Sequence, residues 1–260
     1  MISTKQTAVH EVEEIRAAEL SRWREIRVDS NRRTALTTGV LFTIATVTAL
    51  AAAALKPDLK GAAYLTKVSG HSNLVTGGAF FYLIAAFTSV GIAISLYPVL
   101  KKWNAGLALG SVVFRTIEAV MYIAAVVSLL SLLTLSQQFA HAGAADRASF
   151  QAIGDSLLSV GAHATLAAVF AFSLGTFMYN YLFCQSRLIP RWLSGWGIAA
   201  SILMFTACLL ALFSDNDVTG YALLILPIAV QEMVLAVWLI VKGFSSSALQ
   251  SIPASQGLTP

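Results

Sequence analysis

Three ionisable side chains sit where the surrounding sequence is too apolar to hold them freely. Arg115 and Glu118 interrupt a stretch from about 105 to 134 that is otherwise uncharged, and Glu232 interrupts another from about 219 to 241. His163 lies in a further stretch of this kind, about 157–183. A charged side chain at the centre of a bilayer costs roughly 2.5–3.5 kcal/mol on insertion scales, so such groups turn inward and find partners. Arg115 and Glu118 are three residues apart and share one face of a helix. With a rise of about 1.5 Å per residue, Arg115 lies about 20 Å beyond Lys102 and Glu118 some 5 Å deeper. By the same measure Glu232 lies about 15 Å from Lys242 on a helix running the other way, and His163 about 12 Å in from Asp155. These depths predict that Arg115 meets Glu232 and that Glu118 meets His163, both near the midplane.

Two neighbours extend this polar set. Pro227 has no N–H and frees the carbonyl of Leu223, which must be satisfied inside the protein or in a wet cavity. Gln231 adds an amide beside Glu232. Together these residues predict a hydrated pocket among the third, fourth and sixth apolar segments. Three function classes use such a pocket differently. In a small-molecule or ion-handling protein, a carboxylate exchanges its arginine partner for a ligand or a proton. In an accessory protein, the charges only fix helix packing. In an intramembrane enzyme acting on a lipid or isoprenoid, Glu118 or Glu232 serves as general acid. The first is the leading reading and an enzyme the less favoured one. No Gly-rich phosphate loop, HExxH or GxSxG is present, and no cofactor is expected. A metal site needs three or four convergent ligands, and Glu118, His163 and Glu232 make only a thin candidate set, so no metal is expected either.

The elements that must carry these residues are membrane helices. Of 260 residues, 57% are hydrophobic and only 12% charged, against roughly 25% charged in a soluble domain. Residues 34–55, 72–100 and 192–213 contain no charge at all. With the three interrupted segments they make six stretches, each reaching the ~20 residues that cross ~30 Å of hydrocarbon as a helix. A barrel would alternate in ~10-residue segments, and no such alternation occurs. The expected class is therefore all-α, a polytopic bundle of six transmembrane helices over residues 33–244.

Orientation follows from the basic flanks. Arg22, Arg24, Arg27, Arg32, Arg33, Lys101, Lys102, Arg187, Arg191 and Lys242 fall on one side, and Lys56, Lys60, Lys67 and Arg147 on the other. The richer side belongs inside, which puts both termini in the cytoplasm. Trp103, Trp192 and Trp196, with Tyr179, Tyr181 and Trp238, cluster toward the same face as interface anchors. The outer loops are expected at 56–72, 136–156 and 214–218. The net charge of +4 sits beside apolar segments and is no case for nucleic acid; the bilayer is the expected partner. Residues 1–33 hold six arginines and one lysine against six carboxylates, with Val9, Val12, Ile15, Leu20, Trp23 and Ile26 at loosely helical spacing. Residues 1–32 are read as a cytoplasmic amphipathic segment, too long and too acidic for a signal peptide, that could engage a protein partner. Residues 245–260 are Ser-rich and read as a disordered cytoplasmic tail. Cys184 and Cys208 fall near opposite faces and are expected to stay unpaired. Gly106 and Gly110 are spaced to let two helices approach closely.

Three blocks carry a resemblance. They are Gly106–Gly110 followed by Phe114-Arg115 and Glu118, then Ser186-Arg187-Leu188-Ile189-Pro190-Arg191-Trp192-Leu193-Ser194, and then Pro227-Ile228, Gln231-Glu232 and Trp238–Phe244. Over residues 33–244 the chain resembles the bacterial membrane family called domain of unknown function 4386. The tyrosine usual in that family after the glycine block is Ser111 here. The resemblance implies a multi-pass protein of the bacterial inner membrane and no particular activity.

Overall fold

The computed structural model describes residues 30–250, apart from 56, 58, 60, 62 and 215. The amphipathic helix expected over 1–29 therefore lies outside the described residues. Six helices are long and apolar enough to cross a membrane: α1 (Ser30–Leu55), α3 (Ser72–Leu100), α4 (Ala105–Phe139), α5 (Arg147–Ser186), α6 (Arg191–Leu212) and α7 (Ala222–Val241). Two short helices join them, α2 (Tyr64–Gly70) and α8 (Ser246–Gln250), with a 3-10 turn at Val218–Tyr221 leading into α7. No strand occurs among the described residues. Phe80, Phe87, Ile94, Val120 and Val127 are all more than half exposed, a surface that only lipid would cover.

Successive spans pack side by side from α3 to α7, with α5 against both α4 and α6. α1 closes the bundle between α3 and α7. Gly39 makes the second contact possible, because a Cβ there would stand 2.8 Å from the Ala236 carbonyl oxygen and 2.7 Å from Ile240 Cγ1. Toward α3, Thr38 shares a 2.7 Å hydrogen bond with Ser95 while also donating to the Thr34 carbonyl. Such back-bonding to the preceding turn satisfies a hydroxyl where water is absent. Gly110 packs on Met178 of α5, whereas Gly106 meets only the side chain of Asn104, so one glycine of that pair serves a helix contact.

The α3–α4 and α5–α6 turns and the end of α7 are capped by chemistry local to each. Asn104 accepts from Leu107 N–H at 2.9 Å and starts α4. α5 ends on Arg187 at φ 55°, and Pro190 opens α6. The last carbonyls of α7 are satisfied from α1, since Arg32 donates to Leu239 O (3.2 Å) and Ile240 O (2.8 Å). Arg32 is thus part of the bundle, and the boundary expected between 32 and 33 falls inside α1. The expected tail is also corrected at its start. Phe244 and Ala248 are buried in the core beside Leu188 and Leu193, and Ser245 N–H donates to Leu188 O at 2.9 Å, so Ser246–Gln250 is a packed helix. Residues 251–260 lie outside the described residues.

α4 and α5, of 35 and 40 residues, are about 52 and 60 Å long and overshoot ~30 Å of hydrocarbon. The loop between them shrinks to 140–146 instead of 136–156. The ends of α4 and α5 next to this loop carry a second core with α2, built on Tyr64, Leu65, Val68, Leu132 and Phe139. Gly154 leaves room for the Tyr64 ring, whose hydroxyl donates to Asp155 (2.9 Å) and Gln151 O (3.2 Å). Burial and the Asp155 carboxylate push the Tyr64 hydroxyl up to about 12.

Candidate functional site

Arg115 points into the bundle and is 2% exposed, with Glu118 beside it at 3%. Gly175 of α5 makes room for it. A Cβ at that position would contact Arg115 Cγ, Phe114 Cβ and Ser111 O at 3.3–3.4 Å. The guanidinium lies over the Phe172 ring, 4.3 Å from its centroid, a cation–π contact that adds to the bonds around its edge.

Each terminal nitrogen of Arg115 closes a small triangle of hydrogen bonds. Nη1 donates to Ser89 Oγ (3.0 Å) and Glu118 Oε2 (3.1 Å), and the Ser89 hydroxyl itself donates to Glu118 Oε2 (2.9 Å). Nη2 donates to Glu232 Oε1 (2.8 Å) and Tyr179 Oη (3.4 Å), and the Tyr179 hydroxyl donates to the same Glu232 oxygen (2.9 Å). Four helices are tied here: α3 through Ser89, α4 through Arg115 and Glu118, α5 through Tyr179, α7 through Glu232. Phe42 of α1 closes the edge of the Tyr179 ring. The second oxygens, Glu118 Oε1 and Glu232 Oε2, receive no hydrogen bond from the described residues. Among the described residues Arg115 Nε is also without a partner.

The arrangement gathers one guanidinium and two carboxylates. The spans are otherwise uncharged over their apolar stretches, so with every group ionised the membrane-embedded part holds one excess negative charge.

Gln231 sits on a different face of α7 from Glu232. It donates to Asn180 Oδ1 and to Leu193 O, both at 3.3 Å, and Asn180 packs against Gly197 and donates to Thr176 O at 3.0 Å. This second polar seam joins α5, α6 and α7. Two of its buried oxygens, Gln231 Oε1 and Thr176 Oγ1, make no hydrogen bond with the described residues.

His163 does not join the site. It is exposed and shares its Nδ1 with the Ser159 carbonyl of its own helix at 2.7 Å. The 23 residues from His163 to the end of α5 span about 35 Å, more than the hydrocarbon is thick. Measuring depth from Asp155 fails because Asp155 is itself on the overshooting part of α5. Pro227 is corrected on similar grounds. α7 runs through it unbroken, and Leu223, whose carbonyl it frees, is 86% exposed in the first turn of the helix. That carbonyl lies in the first turn of α7, nine residues before Glu232, and is not part of the Arg115–Glu118–Glu232 cluster.

Two members were missed. Ser89 is one serine in an uncharged run and carries no signal that separates it from Ser95. Tyr179 was read as an interface anchor, yet it is 1% exposed, while Tyr181 is 44% exposed. Its spacing from Phe172, two helical turns, places both rings on one face of α5, but nothing in the sequence says that this face meets Arg115. Among the tryptophans, Trp192 is 57% exposed, whereas Trp103 and Trp196 pack against the inner core. Cys184 and Cys208 are free, and among the described residues no three His, Cys, Asp or Glu side chains gather as metal ligands.

A family profile described as a domain of unknown function (DUF4386) matches residues 37–243. No curated protein and no solved structure matches the chain.

Proposed function

We propose a role for this chain, which belongs to the DUF4386 family and is a multi-pass membrane protein, from its buried charges: small-molecule or ion handling through the Arg115–Glu118–Glu232 site. One observation carries the reading. A single guanidinium serves two carboxylates on two helices, and among the described residues the second oxygen of each carboxylate has no donor. A purely structural pair needs one acid, not two, and an excess buried charge is unfavourable unless something balances it. Glu232, with 12% of its side chain exposed, lies nearer the surroundings than Glu118, with 4%. The proposed setting is the bacterial inner membrane with both termini cytoplasmic, supported by the basic inner turns at Lys101, Lys102, Arg187, Arg191 and Lys242.

The experiment is flux in proteoliposomes carrying an internal pH dye, with imposed proton, sodium or potassium gradients. Wild type should dissipate at least one gradient faster than protein-free vesicles, and Glu118→Gln and Glu232→Gln should abolish the difference. Wild-type vesicles indistinguishable from protein-free ones under all three gradients would overturn the reading. An accessory role, in which the charges only lock the helices, is favoured by the full engagement of both Arg115 terminal nitrogens. It would be preferred if both glutamine variants preserved the cellular role of the protein.

A further inference from the structure

The charge excess in the spans and the unequal grip of Arg115 on its two partners point to a more specific site. The contact to Glu232 is the shorter, 2.8 Å against 3.1 Å. Glu232 Oε1 also accepts from Tyr179, which completes the solvation of an ionised oxygen. Glu118 is the more deeply buried acid, with 4% of its side chain exposed against 12% for Glu232; the hydroxyl donors of both acids, Ser89 and Tyr179, are themselves acceptors of Arg115. In a low dielectric the better-paired, less buried carboxylate keeps its charge, and the other takes up whatever neutralises it.

We infer that Arg115, Glu118 and Glu232 form a binding site for one proton, which resides on Glu118 Oε1 while Glu232 stays ionised against Arg115. The inference deepens the ion-handling reading above by naming the ion and its seat. Uptake converts the Glu118 carboxylate to a carboxylic acid, the proton coming from water. Release returns the proton to water and leaves two carboxylates competing for one guanidinium. Arg115 is then drawn toward Glu118 on its own helix, and the bonds that tie α7 to α4 and α5 through Glu232 loosen. Proton occupancy is thereby coupled to a contact between helices.

The groups around the two acids are few. Glu118 faces Arg115 and, one turn along α4, Tyr122, which is stacked on Tyr82 of α3 at 6.2 Å with Cys208 of α6 beyond. Glu232 faces Arg115 of α4 and Tyr179 of α5. The apolar stretches 34–55 of α1, 72–100 of α3 and 192–213 of α6 bring no charge to either.

The test is infrared spectroscopy of the full chain in lipid nanodiscs at neutral pH, reading the carbonyl stretch of protonated carboxylic acids and its shift in deuterium oxide. Wild type should show one such acid. Glu118→Gln and Glu232→Gln should each show none, because removing either carboxylate leaves Arg115 balanced by the other. Ser89→Ala should shift the wild-type band, and Tyr179→Phe should leave it in place. Arg115→Met, where it folds, should show two acids; the glutamine variants decide the matter if it does not. A wild type with no protonated acid overturns the inference, as does a band that moves with Tyr179→Phe and not with Ser89→Ala. If the acid is absent and sodium or potassium, unlike choline, raises thermal stability, the balancing ion is a metal cation; ion handling then stands and the proton site falls. If the acid behaves as expected but the proteoliposomes move nothing, the proton site stands and the ion-handling reading falls.

Discussion

Replacing Arg115 with Met should be the most damaging single change in the bundle. The guanidinium is 2% exposed and donates four hydrogen bonds, to Ser89, Glu118, Tyr179 and Glu232. Hydrogen bonds between membrane helices average about 0.6 kcal/mol in double-mutant cycles, with a maximum near 1.7. On that scale Tyr179→Phe or Ser89→Ala should cost about 1 kcal/mol each. Loss of the cation differs in kind, because it strands charge: breaking a buried pair by removing one partner costs roughly 3–5 kcal/mol. Glu232 would keep only the Tyr179 hydroxyl, and Glu118 only the Ser89 hydroxyl. Removing the stranded charges should then repair the damage, since buried ion pairs can often be replaced by apolar residues at little cost. The double change Arg115→Met with Glu232→Met should recover most of the loss, because Glu118, the acid that remains, carries the proton and strands no charge. The triple change that adds Glu118→Met should recover little more. Reversible unfolding in mixed micelles, followed by helical circular dichroism, measures each variant. An Arg115→Met protein within about 0.5 kcal/mol of wild type would refute the argument, because that is the level at which independent sites simply add. So would a double variant no more stable than Arg115→Met alone.

Three further outcomes follow from other parts of the bundle. Cysteines placed in 56–72 or 140–146 should react with a membrane-impermeant reagent added outside intact cells, and cysteines at 101–104 or 187–190 should not; the reverse pattern would invert the proposed orientation. Gly39→Val should cost about 1–3 kcal/mol through overpacking, because the Ala236 carbonyl 2.8 Å from the added Cβ is backbone and cannot yield; unfolding in the same micelles reads it. At the outer end the Tyr64 hydroxyl is raised from 10.0 to about 12. Its stabilising contribution is therefore fully present below pH 10 and lost as pH rises through about 12. Hydrogen exchange of α2 should accelerate over that window in wild type, and Tyr64→Phe should flatten the dependence.

What was legible in the sequence depended on where the ruler started. Depths counted from Lys102 and Lys242 brought Arg115 and Glu232 together, because the inner turns are short and both helices end at the same face of the core. The count from Asp155 misplaced His163, because α4 and α5 are longer than the hydrocarbon is thick and the sequence does not mark where hydrocarbon stops. Ser89 and Tyr179 could not be chosen from composition, since a hydroxyl becomes part of the site only when a neighbouring helix turns a charge toward it. The six spans are visible because hydrophobic length is a local property. The partners of Arg115 come from α3, α5 and α7, and that choice belongs to packing, which Gly175 and Gly39 permit but do not announce. One quantity escapes this limit. The apolar stretches of the chain contain one arginine and two glutamates whatever their packing, so any fold that buries all three must balance one negative charge. Structure then decides the seat of that balance, and the shorter bond of Arg115 to Glu232 assigns it to Glu118.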